Sequence, residues 1–143
     1  MTPLFEKRLL QVVVAVACLV PLSAGATGVL ESAEMLKGVS APVPADLDSH
    51  YRYLSGLLLG VGLVFAYGIF AIERRTLIFR TLGAVVVVGG LGRLLAVIEG
   101  GEPSLGHLLA LAMELLAVPL IVLWQARVAR RVNKSRAADA GQV

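Results

Sequence analysis

The sequence predicts an all-α fold, a bundle of four transmembrane helices with both termini cytoplasmic, and three observations lead to it. The chain is 57% hydrophobic and only 16% charged over 143 residues, with mean hydropathy +0.83. Soluble domains carry about 25% charged residues, so this chain has too little polar surface for water and calls for lipid as its solvent. The second observation is four long stretches with almost no charge, at about 9–30, 53–72, 81–98 and 105–126. A hydrocarbon core of about 30 Å needs about 20 helical residues, and only a helix satisfies its own backbone amides there. The third is the alternation of charge between the connections.

The first span, 9–30, follows Lys7 and Arg8. Its small-residue string Ser23-Ala24-Gly25-Ala26 resembles a secretory cleavage site, so a removed signal stands as an alternative to a retained helix. A lipoprotein reading would acylate Cys18 after Ala15-Val16-Ala17, but that sequence lacks the usual leucine. Cys18 is the only cysteine, which excludes a disulfide framework. An outer loop, 31–52, follows, with Pro42 and Pro44 disfavouring helix around themselves and Asp48 or Ser49 placed to cap the second span.

Glu73 to Arg80 form a cytoplasmic link whose Leu77, Ile78 and Phe79 are expected at headgroup level. Glu99 to Ser104, with Gly100, Gly101 and Pro103, make a short outer turn that forces the third and fourth spans to be antiparallel neighbours. Trp124 is an interfacial anchor, and the basic tail 127–143 is expected to continue the fourth helix against anionic lipid headgroups.

One set of connections carries Lys7, Arg8, Arg74, Arg75, Arg80, Arg127, Arg130, Arg131, Lys134 and Arg136 against Glu6, Glu73 and Asp139. The other carries Lys37 and Arg52 against Glu31, Glu34, Asp46, Asp48, Glu99 and Glu102. By the positive-inside rule the basic side is cytoplasmic, so the net charge of +3 reflects topology. No aromatic residues interleave the basic ones as a nucleic-acid stacking surface requires, and no nucleic-acid partner is expected.

Small residues mark the helix contacts. Gly56 and Gly60 stand at GxxxG spacing beside Gly62 and Gly68, and the third span has Gly83, Gly89, Gly90 and Gly92. In lipid such residues let backbones approach. The Gly56 and Gly60 face can pack within the bundle or join two copies as a homodimer.

Two charges lie inside the spans. Arg93 is about 8 Å in from Ile98, and Glu114 about 14 Å in from Leu105, at 1.5 Å per residue. Helical side chains lean toward their own N-terminus, so on antiparallel neighbours the two lean toward each other. An unpaired charge at that depth costs about 2.5 kcal/mol or more, and pairing is its resolution. The pair reads either as a clasp between helices or as the floor of an outward-facing polar pocket, with Arg93 offering a planar fork to a small anionic or lipid-headgroup ligand. His107, two turns before Glu114, joins that pocket or is an interfacial residue bonded locally. Arg52 snorkels to the interface or adds a second cation.

Asp46, Asp48 and His50 alternate, which in an extended segment would put three potential ligands on one side. No second cluster completes a metal set, and no metal or other cofactor is expected. Catalytic signatures such as G-x-S-x-G, a phosphate-binding glycine loop or H-E-x-x-H are absent, which points to a non-enzymatic role. A proton-coupled transporter using Glu114 is the alternative.

The stretches Asp46-Leu-Asp48-Ser-His50-Tyr51-Arg52-Tyr53-Leu54-Ser55-Gly56, Gly89-Gly90-Leu91-Gly92-Arg93-Leu94-Leu95, Gly101-Glu102-Pro103 and Glu114-Leu115 together resemble the small bacterial four-helix membrane proteins catalogued as domain of unknown function 4345. The resemblance covers nearly the whole chain. It implies a retained first helix and an inner-membrane location, with recurring polar residues at Arg52, Arg93 and Glu114; it implies no substrate and no cofactor.

Overall fold

The computed structural model describes residues 2–36, 38–100 and 103–140. Lys37 of the outer loop, Gly101 and Glu102 of the outer turn, and 141–143 of the tail lie outside the described residues. All regular structure among the described residues is helical, with α1 at Pro3–Leu30, α2 at Ala45–Ile69, α3 at Thr76–Ile98, α4 at Leu105–Ala112 and α5 at Val118–Ala140. Short 3-10 turns at Ala33–Met35 and Ile72–Arg74 occupy the first two connections, and a π-helical turn, Met113–Ala117, joins α4 to α5 without a break. Among the described residues four helices are long and apolar enough to cross a membrane: α1, α2, α3 and the continuous helix Leu105–Ala138. Their large apolar side chains are widely exposed, among them Val12, Val16 and Leu19 on α1, Val85, Val88 and Leu95 on α3, and Leu116, Leu120 and Leu123 beyond. Apolar faces of this extent are matched to acyl chains.

The chain gathers into two compact units, Val13–Ile69, and Met1–Val12 with Phe70–Val143. In the first, α1 and α2 run antiparallel with their backbones close. A Cβ built on Gly25 would stand 2.6 Å from the backbone nitrogen of Leu59, one on Gly28 would strike Ser55, and one on Gly62 would lie 3.2 Å from Leu22. The absent side chains let the helices meet. Of the glycines expected at helix contacts, Gly62 lies in this one, joined by Gly25 and Gly28, whereas Gly56 and Gly60 do not close it. Gly56 meets only Val29, at 3.8 Å, and Gly60 has nothing within 4 Å. Two of the residues that close the contact, Gly25 and Gly28, belong to or follow the string that resembles a cleavage site.

Helix α2 starts eight residues before the predicted 53, immediately after Pro44. Proline is tolerated at a helix start, where its missing N–H has no partner to lose, and Asp46 and Asp48 suit the positive end of the helix dipole. Asp48 does not cap α2. Its Oδ1 accepts from the Ser32 hydroxyl and the Ala33 N–H, both at 2.9 Å, and so fixes the 33–35 turn. The helical course also overturns the extended geometry that put Asp46, Asp48 and His50 on one side, since residues two apart on a helix diverge. Among the described residues no three His, Cys, Asp or Glu side chains gather at metal-binding spacing.

In the second unit α3 and α5 are antiparallel, with Gly83 against Val122 and Gly90 against Leu115. Helix α3 begins at Thr76, ahead of the predicted 81, and so takes in Leu77, Ile78 and Phe79 of the expected headgroup link; Phe79 is fully buried, as is Ile72 before the helix, while Leu77 is exposed. Gln125 of α5, itself fully buried, ties this segment down: its amide donates to the Ile72 carbonyl at 2.6 Å and the Thr76 hydroxyl at 3.1 Å. At the far end of α3, Gly100 adopts φ +103°, a left-handed conformation that suits glycine after a helix.

Candidate functional site

Arg93 stands near the end of α3 and Glu114 in the π-helical turn, and the structure joins them. Arg93 Nε donates to Glu114 Oε2 at 2.9 Å and Nη2 to Oε1 at 3.0 Å. This two-pronged arrangement is the strongest that an arginine and a carboxylate make. Their side chains are 33% and 19% exposed. Gly90, one turn before Arg93, permits the approach, for a Cβ there would come 2.9 Å from Glu114 Cβ and 2.8 Å from Leu115 Cδ2.

The π-helical turn has a local cause. Pro119 brings no N–H to the Leu115 carbonyl one turn back, and a proline ring crowds that carbonyl in a regular helix. The N–H of Val118 reaches back five residues to Met113 O, widening the turn. Such turns are rare, and occur often where a side chain must be presented for function. The apolar pattern runs straight through 105–126 and hides the irregularity; Pro119 is the one residue that could have signalled it.

The other two candidates have different partners. His107 Nδ1 is 2.9 Å from the Ser104 hydroxyl, so its ring closes the first turn of α4. Arg52 is built into the α1–α2 unit: Nε donates to Asp48 Oδ2 at 2.9 Å, and Nη1 to the carbonyls of Val29 at 2.7 Å and Leu30 at 3.3 Å. It thereby supplies donors to the last carbonyls of α1, which the helix itself leaves unpaired.

A second polar cluster was not anticipated at all. Glu6 of α1 is buried and receives Arg131 through its Oε2, Arg127 at 3.5 Å and the Trp124 indole N–H at 3.3 Å. Glu73 is buried between Lys7 and Arg136, each at 3.0 Å. In the sequence these two acids read as minority charges among many basic ones. Burial by itself raises the Glu73 carboxyl, but its own backbone N–H, Lys7 and Arg136 outweigh it and hold the group below the ordinary glutamate value of 4.5. A carboxylate lowered by folding stabilises the protein above its unfolded pKa, and that contribution disappears as pH falls through the folded value. The unfolding midpoint of the detergent-solubilised protein is therefore expected to drop as pH goes below about 4.5. E73Q is expected to lower the midpoint at neutral pH and to flatten this acid limb; an acid limb unchanged by E73Q would mean that Glu73 carries none of it.

The all-helical fold and its four apolar helices place this chain in the class of multi-span membrane proteins. Within that class it belongs to the family described as Domain of unknown function (DUF4345), whose model matches residues 9–125. No curated protein and no solved structure matches the chain. The match takes in all of the first span as well as Arg52, Arg93, His107 and Glu114. Glu6, Lys7 and the arginines of α5 lie beyond its ends.

Proposed function

We propose that this protein is a non-enzymatic, multi-pass inner-membrane protein with cytoplasmic termini, which uses the Arg93–Glu114 pair to bind a small anionic group or lipid headgroup from the outer side. One observation carries the reading. The pair commits Nε and Nη2 of the guanidinium, while Nη1 has no hydrogen-bond partner among the described residues and the side chain keeps one-third of its surface open. A guanidinium held by a carboxylate on one side presents an ordered donor edge on the other, suited to phosphate or carboxylate oxygens. His107 contacts Ser104 and Arg52 contacts Asp48 and the last carbonyls of α1, so the reading rests on Arg93 and Glu114 alone.

A ligand that binds only the folded state raises its stability by mass action. Inorganic phosphate or short-chain phosphatidylglycerol, added to purified protein in an uncharged detergent, is expected to raise the unfolding midpoint. R93K, which keeps the charge but loses the fork, is expected to abolish that rise. A wild-type midpoint indifferent to both probes would overturn the proposal.

The π-helical turn favours a second reading. Irregular helix at membrane depth is where carriers hold their sites, and Glu114 lies within it. A proton-coupled carrier would show proton flux in reconstituted vesicles that E114Q abolishes, whereas the binding role predicts no flux in either form.

A further inference from the structure

Beyond Trp124 the two faces of α5 divide by chemistry. Gln125, Val128, Ala129 and Val132 are all buried, and their spacing of i, i+3, i+4, i+7 makes them one stripe. Arg127, Arg130, Arg131 and Lys134 repeat the same spacing on the opposite face, and all four are exposed. Two of these cations are also tethered from within, Arg127 and Arg131 by Glu6. Arg130 is tethered through its Nε to the Ala126 carbonyl at 3.2 Å. Each tether uses one nitrogen of a guanidinium, and the Arg127 and Arg131 side chains stay 64% and 45% exposed. Ordering the arginines in this way reduces the entropy lost when a partner binds.

The position along the chain indicates the partner. Helix α5 continues the fourth membrane-crossing helix without interruption, so the stripe begins where the apolar run ends. From Arg127 to Lys134 is about 10 Å along the axis, comparable to the roughly 5–7 Å headgroup layer on each side of a bilayer. We infer that this stripe is a binding surface for anionic phospholipid headgroups, with Glu6 serving to pre-order Arg127 and Arg131 rather than to neutralise the face. The surface is separate from the Arg93–Glu114 pair and does not depend on the function proposed for it.

Trp124, the only tryptophan, reports directly on the lipids beside the stripe. The full-length protein is reconstituted in phosphatidylcholine vesicles containing a fixed fraction of brominated phosphatidylglycerol or, in the parallel sample, brominated phosphatidylcholine. Stronger quenching by the brominated phosphatidylglycerol is expected. The preference should vanish at about 1 M salt, where the Debye length is about 3 Å. One basic residue near an anionic surface is worth about fivefold in affinity, so R130Q/K134Q is expected to lower the preference at least fivefold. Neither of those two residues is ion-paired to Glu6 or Glu73, which keeps the variant foldable; circular dichroism verifies this. Equal quenching by the two lipids in the wild type at low salt, or a preference unaltered in folded R130Q/K134Q, overturns the inference.

Discussion

R93A and E114A are each expected to destabilise the folded protein by about 2–3 kcal/mol, whereas the double variant should lose much less than the sum. Each single change leaves the opposite charge at membrane depth without its bidentate partner, and isolated charges there cost about 2.5–3.5 kcal/mol on insertion scales. The lower part of that range applies because Arg93 keeps one-third of its surface open. Removing both partners removes the orphaned charge as well, and replacing a buried pair together is often nearly neutral. Reversible unfolding in mixed micelles, titrated with a denaturing detergent, yields the three differences. Additive losses would mean that the two groups act independently.

The second large effect is expected at Gly25. A methyl group there meets the backbone of Leu59 at 2.6–2.8 Å, and a backbone cannot swing aside as a side-chain tip can. Overpacking of this kind costs about 1–3 kcal/mol, and G25A should fall at the upper end of that range because α1 and α2 must separate along their contact. G60A is the control, since nothing lies within 4 Å of Gly60; it should change stability by less than about 0.5 kcal/mol. A bulkier change at Gly60 tests self-association. If a homodimer forms through Gly56 and Gly60, G60L should shift the purified protein toward monomer in analytical ultracentrifugation without loss of fold. If G60L leaves the oligomeric state unchanged, that face is not the dimer contact.

The four helices were legible because crossing a bilayer imposes a length and an absence of charge that composition cannot disguise. Their ends were less so. Absence of charge marks the part of a helix that lies in lipid, whereas α2 from Ala45, α3 from Thr76 and α5 to Ala140 run on through charged residues, which helices accommodate readily. Arg93 and Glu114 stood out because a charge in an apolar run carries a large cost and so requires a reason. The π-helical turn beneath Glu114 did not, since a local change of winding leaves no periodic trace and only Pro119 hinted at it. Glu6 and Glu73 were hidden for the opposite reason: among many basic neighbours an acid looks solvated, and only the three-dimensional path of α5 brings Arg131 and Arg136 onto them. Gly25 sat in a string whose small residues suit a cleavage site as well as a helix contact.

Magic-angle-spinning NMR on the protein in lipid bilayers, with labelled arginine and glutamate, tests the pairing in lipid itself. A through-space contact between the guanidinium of Arg93 and the carboxylate of Glu114 is expected, across hydrogen bonds of 2.9 and 3.0 Å. It is assigned by its disappearance in R93K. A spectrum in which R93K removes no arginine–glutamate contact would contradict the pairing, and with it the site proposed to bind an anion.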